Sequence, residues 1–136
     1  SLISGRNVEY LIEQQLKAVP YLKNAEIDII PTGYILLDGG NESAVARVTN
    51  TQPMAQDNIE AIVHTALAGQ YMGAKLIYLE AGSGACFPVR PEVIAAVKKE
   101  IGIPLIIGGG IKSEDQKKRA YNAGADMVVM GTAFEK

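Results

Sequence analysis

The chain has 136 residues, of which 48% are hydrophobic and 21% charged, and its formal net charge is −2. This length and composition are those of one globular domain with a hydrophobic core. Nucleic acid is not expected as a partner, because no basic patch with interleaved aromatic residues is present. No apolar run approaches the ~20 residues of a membrane span, and no signal peptide is expected. The single cysteine, Cys86, cannot form an internal disulfide and is typical of a cytoplasmic protein.

Both ends of the sequence have the pattern of strand ends. The chain opens with SLI and stops at AFEK, directly after an apolar run. We therefore expect residues 1–136 to be a portion of a single larger domain. Such a portion would leave two open sheet edges and an apolar face, so we expect it to associate with its missing half or to form a homo-oligomer.

The first third of the chain predicts a helix, a strand and a polar connection. Asn7 is a predicted N-cap, and the apolar residues after it recur at helical spacing up to Val19, where Pro20 is expected to end the helix. Glu26–Asp38 is rich in Ile and Leu and predicts a strand whose second half is the more buried. Gly39–Met54 is polar and without a clear period, which fits either a functional loop or a short extra helix.

The rest of the chain alternates between helices and short apolar strands. Asp57 and Glu60 form a capping-box pattern that predicts a helix ending at Gly73, with Tyr71 on its apolar stripe. The further predicted elements are strand Leu76–Glu80, helix Pro91–Glu100, strand Leu105–Ile107, a helix from Ser113 to Gly124 and strand Met127–Met130. This alternation predicts a parallel sheet covered by helices, either a doubly wound open sheet or part of a (βα)8 barrel.

Two glycine-rich loops follow neighbouring predicted strands. GGGIKSED, which begins at Gly108, joins a strand to a capped helix, and its backbone N–H groups together with the helix N-terminus can bind an anion. Gly131 and Thr132 end the next strand, and loops at these two places form the usual phosphate site of (βα)8 barrels. The alternative is a pair of tight strand-to-helix turns.

A single carboxylate ends the strand before these loops, in the segment YLEAGSGA that begins at Tyr78. Because side chains alternate along a strand, Tyr78 and Glu80 share one face, and Ile77 and Leu79 share the other. In a barrel the helices cover Ile77 and Leu79, so Glu80 points inward at the C-terminal rim. There it can accept substrate hydroxyl groups and act as a general base. The alternative is an ion pair with a nearby cation such as Arg90.

Four other features favour structural roles. His64 is expected to be a structural or surface residue, since no second metal ligand stands at a suitable spacing. Cys86 is expected to pack rather than to act as a nucleophile. Lys117–Arg119 is typical of a solvated helix face, and Tyr121 lies in helical register as a core or interface residue.

Three motifs together resemble one known family. YLEAGSGA followed by PV, then PLIIGGGI, then AGADMVVMGTAFEK closely resemble the geranylgeranylglyceryl phosphate synthases, which include the bacterial heptaprenylglyceryl phosphate synthases. RNVEYLI and IIPTGYILLD resemble the middle region of the same family. The resemblance implies an α/β fold, a (βα)8 barrel of which this chain is roughly the second half, from the end of strand four to strand eight. It also implies a prenyltransferase that joins a polyprenyl diphosphate, with geranylgeranyl as the expected chain, to sn-glycerol 1-phosphate as an ether and releases diphosphate.

The resemblance assigns roles to individual residues. Glu80 would hold the glycerol hydroxyls and assist deprotonation of the attacking one. The residues that would bind sn-glycerol 1-phosphate are Tyr78, Leu79, Glu80, Ala81, Gly82, Ser83, Gly84, Gly109, Gly110, Gly131 and Thr132. The family's Mg²⁺ ligands belong to an N-terminal half, so no metal ligand is expected in this chain, and the fragment alone is expected to be inactive. Two alternatives are an FMN-dependent oxidoreductase and a non-catalytic phosphate-binding fragment.

Overall fold

The computed structural model describes residues 8–41, 43–49 and 51–131, so that the predicted cap Asn7 and the site residue Thr132 lie outside the described residues. The helices of the described ranges are α1 (Val8–Leu22), α2 (Ala44–Thr49), α3 (Ile59–Tyr71), α4 (Pro91–Glu100) and α5 (Glu114–Ala123). The strands are β1 (Thr32–Leu36), β2 (Leu76–Glu80), β3 (Leu105–Gly108) and β4 (Met127–Val129). No helix in these ranges is both long enough and apolar enough to cross a membrane.

The strands form one parallel sheet in the order β1-β2-β3-β4. A doubly wound sheet reverses its strand order at a switch point, whereas this order runs in one direction. The helices α3, α4 and α5 each connect two neighbouring strands. The order of the described strands therefore fits part of a (βα)8 barrel and does not fit a doubly wound sheet.

The core lies between one face of the sheet and the connecting helices. Ile77 and Leu79 of β2 are fully buried there, whereas Tyr78 and Glu80 are half-buried on the opposite face. The predicted alternation is confirmed. The helical side of this core includes Ile62, Ala66, Val93, Ile94, Val97 and Ala120. Burial of a leucine-sized side chain contributes about 1.5–3 kcal/mol to the stability of the fold. These contacts therefore hold one face of β2 against the helices and leave the opposite face free for a ligand.

Helix α1 differs from the prediction at its C-terminal end. Pro20 lies inside the helix, which continues to Leu22, and the amide of Lys23 still donates to the carbonyl of Val19 at 2.9 Å. The prediction that Pro20 ends the helix is wrong, because a proline within the last turn removes one hydrogen bond while the following amide is still paired. The apolar stripe of α1 is largely exposed, with Leu16 at 67%.

The first strand is shorter than predicted. It begins at Thr32, and Glu26–Pro31 is not a strand, so this part of the prediction is wrong. Register explains the difference: Thr32 pairs with Leu76, the first residue of β2, so residues before Thr32 have no partner strand beside them. Ile29 and Ile30 are exposed as a result. The second half of the predicted strand is buried, as expected.

The helix ends are largely those predicted. The polar connection contains the short helix α2, and α4 spans the predicted residues. Ser113 caps α5 by accepting from the amide of Gln116 at 3.2 Å, and Gly124 ends it at φ +122°. The predicted cap of α3 is wrong by one residue: Asn58, not Asp57, accepts from the amide of Ala61 at 3.4 Å.

The predicted apolar stripe of α3 is confirmed except at its last residue. Ile62 and Ala66 are buried, but Tyr71 is 78% exposed, because the helix ends there, beyond the edge of the core. Gly73 adopts φ +101° directly after the helix, as the sequence predicts.

Candidate active site

The loops that follow β2, β3 and β4 meet in one cleft at the carboxyl ends of the strands. The cleft has a volume of about 120 Å³ and is lined by Glu80, Ser83, Gly109, Gly110, Ile111, Val129, Met130 and Gly131. Parallel strands end at the same edge of the sheet, and in barrels this edge carries the active site. The structure thus brings together residues from all three predicted loops.

Among the described residues that line this cleft, Glu80 is the only one with a carboxylate. Its Oε1 accepts a hydrogen bond from the amide of Gly82 at 2.9 Å, and the hydroxyl of Tyr78 donates to the same carboxylate. Burial raises the pKa of Glu80 above its ordinary value, and these two hydrogen bonds oppose the rise. A half-buried carboxylate with a raised pKa is a better proton acceptor than an exposed one.

The ion pair that the sequence left open for Glu80 is not formed. No cation of the described residues lies within salt-bridge distance of Glu80. Arg90 is exposed and precedes α4, where its amide donates to the side chain of Gln56. Hydrogen bonds therefore stabilise the half-buried charge of Glu80, and its carboxylate remains available to a ligand.

Two tyrosines lie beside Glu80 on the inner face of the sheet. Tyr34 of β1 is opposite Tyr78 in the register, and their ring centroids are 5.3 Å apart. Burial, and then the nearby charge of Glu80, raise the pKa of both phenols, so both remain protonated donors. The sequence predictions missed Tyr34, although its alternation with the buried Ile35 places it on the inner face.

The glycines after β3 are required by close contacts. Gly109 has φ +88°, and a Cβ built there would lie 2.6 Å from Oε1 of Glu80 and 2.7 Å from the amide nitrogen of Gly82. Gly110 has φ +72° and would meet the backbone of Phe87 at 3.0 Å. A tight turn alone does not explain the need for glycine at these two positions, because a side chain at either would enter the neighbouring loop.

The remaining predicted site residues occupy different places. Leu79 and Ala81 are buried on the helix side of the sheet, so their side chains do not face the cleft. Gly82 is buried and contacts Glu80, whereas Gly84 is exposed outside the cleft. Gly131 lines the cleft, and no atom of the described residues lies within 4 Å of a Cβ built there.

The described residues offer no complete protein-ligated metal site. Over 8–41, 43–49 and 51–131, no group of three or more His, Cys, Asp or Glu side chains could hold a metal ion. His64 is exposed on α3. The donor set of this cleft therefore does not by itself fit a bound Mg²⁺, which prefers several oxygen ligands in octahedral geometry.

The fold and the cleft define one half of a (βα)8 barrel with a candidate anion site at the carboxyl ends of its strands. A family model described as the PcrB family matches residues 1–136, and the chain belongs to that family. A geranylgeranylglyceryl phosphate synthase of Zunongwangia profunda is 67% identical over 99% of this chain, which covers 58% of that protein. The family resemblance of the motifs is confirmed.

Two solved structures are similar to the whole of this chain. Wild-type GGGPS from Thermoplasma volcanium superposes with a TM-score of 0.92 at 40% identity, and this chain covers 54% of it. The (S)-3-O-geranylgeranylglyceryl phosphate synthase of Thermoplasma acidophilum, in complex with its substrate sn-glycerol-1-phosphate, gives a TM-score of 0.91 at 37% identity, and this chain covers 55% of it. The chain thus spans somewhat more than half the length of the relatives that it matches.

Proposed function

We propose that the whole protein is a prenyltransferase that joins a polyprenyl diphosphate to sn-glycerol 1-phosphate as an ether, in membrane lipid biosynthesis. The observation that carries this proposal is Glu80, a half-buried carboxylate without a cationic partner among the described residues, in the same cleft as the glycine loops of β3 and β4. The substrate named in the Thermoplasma acidophilum complex supports the choice of acceptor.

The geometry supports different roles for different residues of the cleft. The backbone of Gly109, Gly110 and Gly131 binds the phosphate, and Thr132 adds a hydroxyl group. The glycerol extends from this anchor toward Glu80 and Ser83, which line the cleft, and the hydroxyl of Tyr78 donates to Glu80. Of the other predicted residues, Leu79, Ala81 and Gly82 could contact the glycerol only through their backbone, and Gly84 lies outside the cleft.

The proposed reaction is a substitution at the first carbon of the prenyl chain. Glu80 accepts the proton of the attacking glycerol hydroxyl, and that oxygen forms the new C–O bond. The bond from the same carbon to diphosphate breaks, and diphosphate leaves with the electron pair. The raised pKa of Glu80 favours the proton transfer.

Further parts of the proposal concern the surroundings of the reaction. Bound Mg²⁺, with ligands in the part of the protein outside this chain, would neutralise the leaving diphosphate. The exposed apolar residues of α1, such as Leu16, support contact with more protein, in the rest of the barrel or in a homo-oligomer. The free thiol of Cys86 supports a cytoplasmic location, where thiols stay reduced.

The direct test is an assay of the purified whole protein with radiolabelled sn-glycerol 1-phosphate, geranylgeranyl diphosphate and Mg²⁺. We expect an ether-linked lipid phosphate and stoichiometric diphosphate. A colourless protein supports the proposal, whereas tightly bound yellow flavin or the absence of any prenylated product contradicts it. A parallel assay in which sn-glycerol 3-phosphate replaces its enantiomer, sn-glycerol 1-phosphate, tests the stereochemistry of the acceptor.

The pH dependence of the reaction should report Glu80. Because the base must be deprotonated, kcat/KM is expected to rise with pH through the pKa of Glu80, which burial places above its ordinary value of 4.5. A profile of kcat/KM against pH, measured with both substrates, checks the position of this acidic limb. A limb at or below the ordinary value would contradict the role of Glu80 as the base.

A further inference from the structure

Gln56 lies between α2 and α3 and has a buried side chain, 4% exposed. Its Nε2 donates to the carbonyl oxygens of Asp38 at 2.8 Å and Pro88 at 3.3 Å. Its Oε1 accepts from the amide of Arg90 at 2.7 Å. A primary amide has two N–H bonds and one carbonyl, so each of its groups is paired. The loss of this side chain would leave three backbone groups without their partner.

Gln56 joins the end of the sheet to a loop. Asp38 follows β1, and its amide donates to the carbonyl of Met54 at 2.9 Å, which extends the pairing of the sheet. Pro88 and Arg90 belong to the loop between β2 and α4. Gln56 therefore ties this loop to the end of the sheet.

The tied loop is in direct contact with the predicted phosphate loop. A Cβ built on Gly110 would lie 3.0 Å from the carbonyl carbon and oxygen of Phe87 and from the nitrogen of Pro88. Gly110 thus packs on the Phe87–Pro88 peptide, and its other side lines the cleft. A shift of this peptide would move Gly110 or open a gap behind it.

We infer that Gln56 is a positioning residue for the phosphate of the acceptor substrate. It fixes the Phe87–Pro88 peptide, and this peptide fixes Gly110 at the distance that the phosphate requires. Gln56 itself is not among the described residues that line the cleft. The inference rests on the proposed function, because it takes Gly109 and Gly110 as the phosphate loop.

The test is Gln56→Met in the whole protein, since methionine has a similar length and volume but forms none of the three hydrogen bonds. We expect the KM for sn-glycerol 1-phosphate and the Kd for inorganic phosphate to rise about tenfold, the effect of weakening one well-placed hydrogen bond. The kcat and the KM for prenyl diphosphate should change by about twofold at most, because only binding of the phosphate is affected.

Gln70 provides a matched control at the opposite end of the strands. Its Oε1 accepts from the amide of Gly102 at 2.7 Å, so that it also joins two segments through a side-chain amide. Gln70→Met should lower the melting temperature without raising the KM for sn-glycerol 1-phosphate. If Gln56→Met does not fold, Gln56→Asn, which keeps the amide but is one methylene shorter, should show the same selective rise in KM.

The outcomes separate this inference from the proposed function. A folded Gln56→Met protein with an unchanged KM for sn-glycerol 1-phosphate overturns the inference alone, and so does an equal rise in Gln70→Met. A wild-type protein that binds neither sn-glycerol 1-phosphate nor inorganic phosphate overturns the proposed function, and the inference with it.

Discussion

Replacement of Glu80 by glutamine in the whole protein is expected to lower kcat by about 10²–10⁴, the range of a general acid–base group. The amide of glutamine has the shape of the carboxylate but cannot accept the proton of the glycerol hydroxyl. It can still accept a hydrogen bond from the amide of Gly82, which lies 2.9 Å from Oε1 of Glu80. Steady-state kinetics with both substrates, at several pH values, measure this loss and the disappearance of the acidic limb.

The stability of the same variant distinguishes a catalytic role of Glu80 from a structural one. A raised pKa in the folded state means that folding favours the protonated form of Glu80, so stability from this group is lost as pH rises through its folded pKa. At neutral pH, Glu80→Gln should therefore melt at the same temperature as the wild type or higher. The exposed Glu92→Gln, in the first turn of α4, serves as the control with full activity. A much lower melting temperature for Glu80→Gln, or near-normal turnover, would contradict the assignment.

Gly109→Ala is expected to reduce kcat/KM by about a hundredfold, the cost of moving reacting groups by about 1 Å. The new methyl group would lie 2.6 Å from Oε1 of Glu80 and 2.7 Å from the amide nitrogen of Gly82, so it would displace the hydrogen bond between them. The change therefore disturbs the base and the phosphate loop together. The measurement is kcat/KM for each substrate, with circular dichroism to verify folding.

Gly73→Ala is the matched control for this substitution. Gly73 also has a positive φ, +101°, but no atom lies within 4 Å of a Cβ built there. Alanine at Gly73 therefore adds the backbone strain of a left-handed conformation without a steric clash, and it lies on the α3–β2 turn away from the cleft. Equal losses of activity in both variants would show that strain, not contact with Glu80, explains the effect at Gly109.

The parts of the fold that the sequence predicts are those governed by local rules. Helix α4 has proline at its first turn and an apolar stripe, and its bounds are those predicted. Ser113 caps α5 as its spacing with Gln116 indicates. The inward direction of Glu80 follows from strand alternation, which holds because the opposite face of β2 is covered by helices.

Some of the errors arise where a distant part of the chain determines the local structure. The start of β1 depends on the length of β2, since Thr32 pairs with Leu76, the first residue of β2, and earlier residues lie outside this register. The importance of Tyr34 depends on the same register, which places it against Tyr78. The contacts of Gln56 join segments 18 and 34 residues away, and no local pattern indicates them.

The alternation along β2 has a consequence for how such a protein can diverge. Leu79 and Glu80 are neighbours in the chain, yet Leu79 packs against the helices and Glu80 faces the cleft. Selection for cellular abundance acts on the positions that pack against the helices, and selection for a new acceptor substrate acts on the positions that face the cleft. Because the two sets lie on opposite faces of one strand, the preference for a ligand can change during evolution while the buried core stays the same.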